Sequence, residues 1–197
     1  NNSSNPQWLT KLGSEMVFVA DNGENGRELW ITDSTEEGTR MIKDINPGNN
    51  SSDPTGPMKE MDGYIYFSAN DGVHGYELWR TDGTEAGTSM VKDINPGENN
   101  SLSWGSTAHW HGEYTLVHNG HFYFSSNDGE RGEELWRTDG TEAGTELIVD
   151  VNNGEVGSWP WYLTAMGDKV YFTAWDGDQR HLWHYWDNPG PIISGDN

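Results

Sequence analysis

A motif repeated four times constrains this chain more than any other feature. GRELWITDSTEEGTRMIKDINPG begins at Gly26, GYELWRTDGTEAGTSMVKDINPG at Gly75 and GEELWRTDGTEAGTELIVDVNNG at Gly132. A weaker fourth copy, RHLWHYWDNPGPII, begins at Arg180. Ahead of each copy lies a glycine, a short apolar run and an Asp/Asn-Gly turn: GSEMVFVADNG, GYIYFSANDG, GHFYFSSNDG and GDKVYFTAWDG. The tryptophan of the motif falls at Trp30, Trp79, Trp136 and Trp183, at spacings of 49, 57 and 47 residues. Self-similarity on this scale belongs to propeller blades, whose repeats run at about 40–50 residues.

Each repeat holds four strand-sized pieces. In the second they are 58–61, 64–69, 77–81 and 88–94, separated by turns at Asp62-Gly63, Asn70-Asp71-Gly72 and Asp82-Gly83. Glycine supplies the positive φ that tight hairpins need, and Asn or Asp tolerates it. Four antiparallel strands joined by hairpins make one blade. Neighbouring blades cover both faces, so runs such as YIYF and FYF need not alternate apolar with polar. The chain has 11 Trp and 25 Gly but only 32% hydrophobic residues, and no stretch shows a helical period with caps. The expectation is an all-β fold: a small four-bladed β-propeller in one domain over 1–197, with four antiparallel strands per blade and the last blade degenerate. The blades span about 8–57, 58–108, 113–160 and 161–197. NNSSNP at the start matches the linker NNSSDP at 49–54, so the chain reads as a mature or excised segment opening at a blade boundary. Its last hairpin would end at Ile192 and Ile193 and close a ring.

On the stretches ELWITDSTEEGT and ELWRTDGTEAGT (the latter twice), each followed by a KDINPG-like segment, the chain resembles the ELWxxDGT repeat family of bacterial secreted and surface proteins. The resemblance covers nearly the whole chain. It implies an extracellular repeat module and brings no catalytic residues to carry over. The fourth repeat departs from the pattern: His181 stands where Glu28, Glu77 and Glu134 stand, and Trp186-Asp187-Asn188-Pro189 replaces the DGT turn. The TDGTEAGT turn also resembles the Asp-box hairpin of other propellers, where the Asp is structural.

Formal net charge is −21, from 11 Lys plus Arg against 32 Asp plus Glu. That field repels nucleic acid and anionic membrane surfaces, keeps a chain soluble and favours cations. Calcium is the cofactor it suits, because hard cations need oxygen ligands. With no cysteine, disulfides and thiolate metal sites are excluded. No apolar run is long enough to span a bilayer as a helix, so no membrane insertion is expected.

Asp21, Asp71, Asp128 and Asp176 fall at the hairpin between the second and third strands of each repeat. They are either turn formers accepting backbone N–H bonds or calcium ligands, and the calcium-loop spacing that would decide for the ion is absent. Asp44, Asp93 and Asp150 follow the fourth strands. The repeated Trp residues read as packing anchors. Features outside the repeat say more about function. The long linker 97–114 holds Trp104, His109, Trp110 and His111, and the next holds Trp159, Trp161 and Tyr162. Exposed rings there suit sugar faces and protein grooves. His109 and His111 would share one face of an extended segment and could form part of a Cu or Zn site.

No nucleophile elbow, zinc-protease helix or phosphate loop appears, so an enzyme is not expected. The first reading is an extracellular recognition or adhesion module, secreted or on a cell surface, binding glycan or protein through loop aromatics, with calcium in a structural role. The alternatives are a His-built Cu/Zn protein, a self-associating fibre or surface subunit, and a glycan-active enzyme.

Overall fold

The computed structural model describes residues 3–102 and 114–186. Every regular element there is a strand. The chain divides into two compact units, Asn1–Ala108 and His109–Asn197. The first unit holds two sheets. Sheet 1 is β1 (Gln7–Leu12), β2 (Glu15–Asp21), β3 (Arg27–Thr32) and β4 (Arg40–Lys43); sheet 2 is β5 (Thr55–Met61), β6 (Tyr64–Asn70), β7 (Tyr76–Thr81) and β8 (Ser89–Lys92). The second unit also holds two. Sheet 3 is β9 (Thr115–His118), β10 (His121–Asn127), β11 (Glu133–Thr138) and β12 (Glu146–Val149); sheet 4 is β13 (Trp161–Met166), β14 (Lys169–Trp175) and β15 (Arg180–Trp186).

Within each sheet the strands follow sequence order, all pairs antiparallel. Three repeats therefore show the expected four strands. Sheet 4 has three described strands, and the expected last one, around Ile192 and Ile193, lies outside the described residues. β5 begins at Thr55, ahead of the expected 58, because a register shift between Thr55 and Lys59 lets pairing with β6 continue past Pro57.

The recurring letters of the repeat have separate physical tasks. In TDGTEAGT the Asp82 carboxylate accepts from the Thr84 backbone N–H at 2.9 Å and the Thr84 hydroxyl at 2.7 Å. The Thr84 hydroxyl accepts from Gly87 N–H at 3.0 Å, and a 2.7 Å bond joins the hydroxyls of Thr81 and Thr88. Gly83, at φ 88°, occupies the left-handed region; in the first repeat Ser34 holds that place at φ 78°. These bonds hold Asp33, Asp82 and Asp139 below the ordinary carboxylate range.

A buried carboxylate ties each sheet to the linker that follows it. Glu28, Glu77 and Glu134 are at most 1% exposed. Glu77 accepts from the Ser101 hydroxyl at 2.5 Å and from the backbone N–H groups of Ile94, Ser101 and Asn95 at 3.0, 3.2 and 3.4 Å. Glu28 is bound in the same way by Ser52 and Ile45, and Glu134 by Ser158 and Val151. Burial is the largest influence and pushes Glu77 and Glu134 up to about 7, against the pull of these donors; Glu28 is raised for the same reason.

In the first unit, Val17, Val19, Leu29, Ile31 and Ile42 of sheet 1 pack with Ile65, Phe67 and Trp79 of sheet 2. In the second, Tyr123 and Leu135 of sheet 3 meet Leu163, Val170 and Phe172 of sheet 4. Residues 65–69 of β6 are all buried, which accounts for the unbroken apolar run of Ile65, Tyr66 and Phe67. Trp79 and Trp136 are buried, as packing anchors should be. Trp30 and Trp183 are half-buried, and their indole N–H groups donate to the carbonyls of Ala20 and Ala174.

Candidate functional site

The linker entering sheet 4 is pinned on both sides. Ser158 is held by Glu134, its carbonyl accepts from Trp175 N–H at 2.8 Å, and Trp159 N–H donates to Glu133 O at 3.0 Å. Equivalent bonds hold Ser52 and Asp53 after sheet 1. The pinning leaves the residue between Ser and Pro in the left-handed region: Asn5 at φ 41°, Asp53 at 43° and Trp159 at 47°. Three residues on, a register shift between Trp161 and Thr164 places Tyr162 at φ 57°, as a like shift places Trp8 at 56°.

Asn and Asp tolerate this conformation, because their short polar side chains bond locally; an aromatic residue gains nothing from it. Yet Trp159 stands there with 40% of its surface exposed, and Tyr162 with 55%. The equivalent of Tyr162, Trp8, packs on sheet 2: a Cβ placed on Gly56 would lie 3.2 Å from its ring.

Trp161 lies between these two residues, half-buried. Tyr114 meets its ring edge-on at 5.9 Å, and the Arg180 guanidinium sits 4.1 Å from its centroid. Arg180 Nη1 donates to Trp159 O at 2.8 Å and to Thr173 O at 3.3 Å. Burial draws Arg180 below its ordinary basicity. The structure thus gathers Trp159, Trp161, Tyr162, Tyr114 and Arg180 into one surface. Sequence reasoning named the first three and missed Arg180. The repeat places Arg180 three residues before Trp183, as Arg27 stands before Trp30, but does not say what it meets. Trp104, Trp110, His109 and His111 lie outside the described residues.

The hairpin aspartates are occupied by their own turns. Asp71 Oδ1 accepts from Val73 and His74 N–H, both at 2.9 Å, and its Oδ2 meets His74 Nδ1 at 2.7 Å. Asp128 binds Glu130 and Arg131 N–H and the Arg131 guanidinium, and Asp176 binds Asp178 and Gln179 N–H. These donors outweigh burial and hold all three carboxyls below the ordinary range. In the first repeat Asn22 takes that role, accepting from Glu24 and Asn25, while Asp21 caps Gly23 one position earlier. Among the described residues no three His, Cys, Asp or Glu side chains are grouped to hold a metal ion. One oxygen each of Asp44, Asp93 and Asp150 is buried without a hydrogen-bond partner.

No protein-family model matches the sequence, and no curated protein matches it. Among solved structures, a puromycin hydrolase aligns with a TM-score of 0.59 at 16% identity, over 98% of this chain and 28% of its own. A Mycobacterium tuberculosis puromycin-hydrolyzing peptidase aligns with a TM-score of 0.55 at 15% identity, over the same shares. The fold is a propeller-like all-β fold. The likeness is one of fold alone, and this propeller-like chain spans little more than a quarter of either peptidase.

Proposed function

We propose that this chain is an extracellular recognition module that binds a glycan on the aromatic surface of Trp159, Trp161 and Tyr162. One observation carries the reading: two large rings are held outward on left-handed backbone, where the first repeat places Asn5 and a packed Trp8. Left-handed backbone costs a residue without local side-chain bonds about 1 kcal/mol or more, and such cost gathers at functional sites. Exposed rings beside a guanidinium suit the C–H faces and hydroxyls of a sugar, and would equally anchor a protein loop. A secreted or surface location, which the repeat motif's resemblance implies, and closure of the four sheets into a four-bladed ring belong to the same proposal; the four repeated sheets and the propeller-like fold support the closure.

The test is Trp159→Asn, which installs the residue of the first repeat. The variant should melt at the same or a higher temperature and lose binding to a polysaccharide panel at least tenfold. Unchanged binding with the fold intact would defeat the reading. A structural cation is the second reading, favoured by the partnerless oxygens of Asp44, Asp93 and Asp150. It predicts a lower melting temperature after EDTA treatment, restored by Ca²⁺.

A further inference from the structure

Arg180 and Arg27 are the same residue of the repeat in two settings. Each opens the third strand of its sheet, opposite the last residue of the second: Arg27 faces Asp21 and Arg180 faces Trp175. Each sends Nη1 to the carbonyl of the left-handed linker residue, Asn5 in one case and Trp159 in the other. Beyond that they differ. Arg27 Nη2 donates to Gln7 Oε1 at 3.0 Å, and its Nε lies 3.4 Å from the Asp53 carboxylate. Arg180 has Trp161 in place of Gln7, and its ring offers a face but no lone pair. Nη1 of Arg180 serves three oxygens, those of Trp159 and of Thr173, while Nε and Nη2 meet no acceptor among the described residues.

A guanidinium presents five donors in a planar fork that matches a carboxylate. Where Arg27 spends its fork on the Gln7 amide oxygen and the protein's own Asp53, Arg180 keeps half of it, held rigid by two carbonyls and a ring. Trp159, whose carbonyl Arg180 holds, and Tyr162, which lies near enough to influence its charge, are both exposed.

We infer that the aromatic surface takes an acidic saccharide, its carboxylate on Nε and Nη2 of Arg180 and its ring against Trp159 or Tyr162. This rests on the aromatic recognition reading above and adds the charge of the ligand. The body's negative charge does not forbid it. At 0.15 M ionic strength charges more than about 8 Å away are largely screened, and the local cation decides.

The test compares an oligouronate with its methyl ester, which keeps the ring and removes the charge, by calorimetry at 0.15 M salt. The free acid should bind at least tenfold tighter than the ester. Arg180→Gln should bring the affinity for the acid down to that for the ester, and Arg180→Lys, charged but without a fork, should fall between. Should Arg180→Gln fail to fold, the comparison on the unaltered protein decides alone. Acid and ester binding within twofold of each other, both lost in Trp159→Asn, would overturn the carboxylate inference and leave the aromatic surface standing. Binding of neither would overturn both. A glutamate-rich peptide binding as well as the oligouronate would overturn the saccharide assignment.

Discussion

Replacing Glu77 by Gln removes one titrating group from a site that otherwise keeps its shape. Burial holds Glu77 at about 7, where the ordinary value is 4.5. The sign follows from linkage. Between those two values the folded state carries a proton that the unfolded chain has lost, so stability is full below about 4.5 and declines as pH rises through about 7. For one such group the decline between pH 5 and pH 8 is on the order of 2–3 kcal/mol, since each pKa unit is worth roughly 1 kcal/mol or a little more. The amide cannot titrate and should not show it. It has its own cost, because its NH2 must face donors. Placed toward Ser101, it can donate to the Ser101 hydroxyl, which turns to Tyr76 O at 3.4 Å, but the Ile94 N–H then loses its partner. One unpaired buried donor costs about 1–3 kcal/mol. Urea denaturation at pH 5 and pH 8 should therefore show Glu77→Gln clearly less stable at pH 5, with the gap closing at pH 8. Parallel curves, with gaps equal to within about 0.5 kcal/mol, would show that Glu77 is ionised throughout and that its donors outweigh its burial.

Two further substitutions probe the backbone of the repeat. Ser34→Gly relieves the one copy of the turn that places a side chain at φ 78°, and should stabilise the protein by roughly 0.5–1 kcal/mol in thermal melts. A lower melting temperature would show that Ser34 contributes more than its conformation costs. Gly75→Ala meets both a φ of 71° and the Asn99 carbonyl 2.1 Å from the new Cβ. It should cost roughly 2–4 kcal/mol, and a loss under 1 kcal/mol would mean that the following linker can move aside.

What the sequence determined by itself is the periodic part. The motif's spacing, its Asp-Gly turns and its strand-length apolar runs placed the hairpins of the first three repeats, because those signals are local and the backbone reads them locally. It also identified Trp159, Trp161 and Tyr162 as residues apart from the repeat. Tertiary structure decided the rest. Glu28, Glu77 and Glu134 look like surface acids in an acidic chain and prove buried, since their donors lie 17–24 residues away in the next linker. The hairpin aspartates are the exception: their N–H donors lie two and three residues on, so the turn-capping bonds were legible locally. Arg180 joined the aromatic surface only when the pinned linker brought the Trp159 carbonyl to it across 21 residues of chain. Periodicity encodes pairing between neighbours along a strand; which side chain meets which linker is set by how the sheets and linkers pack, and no local pattern carries that.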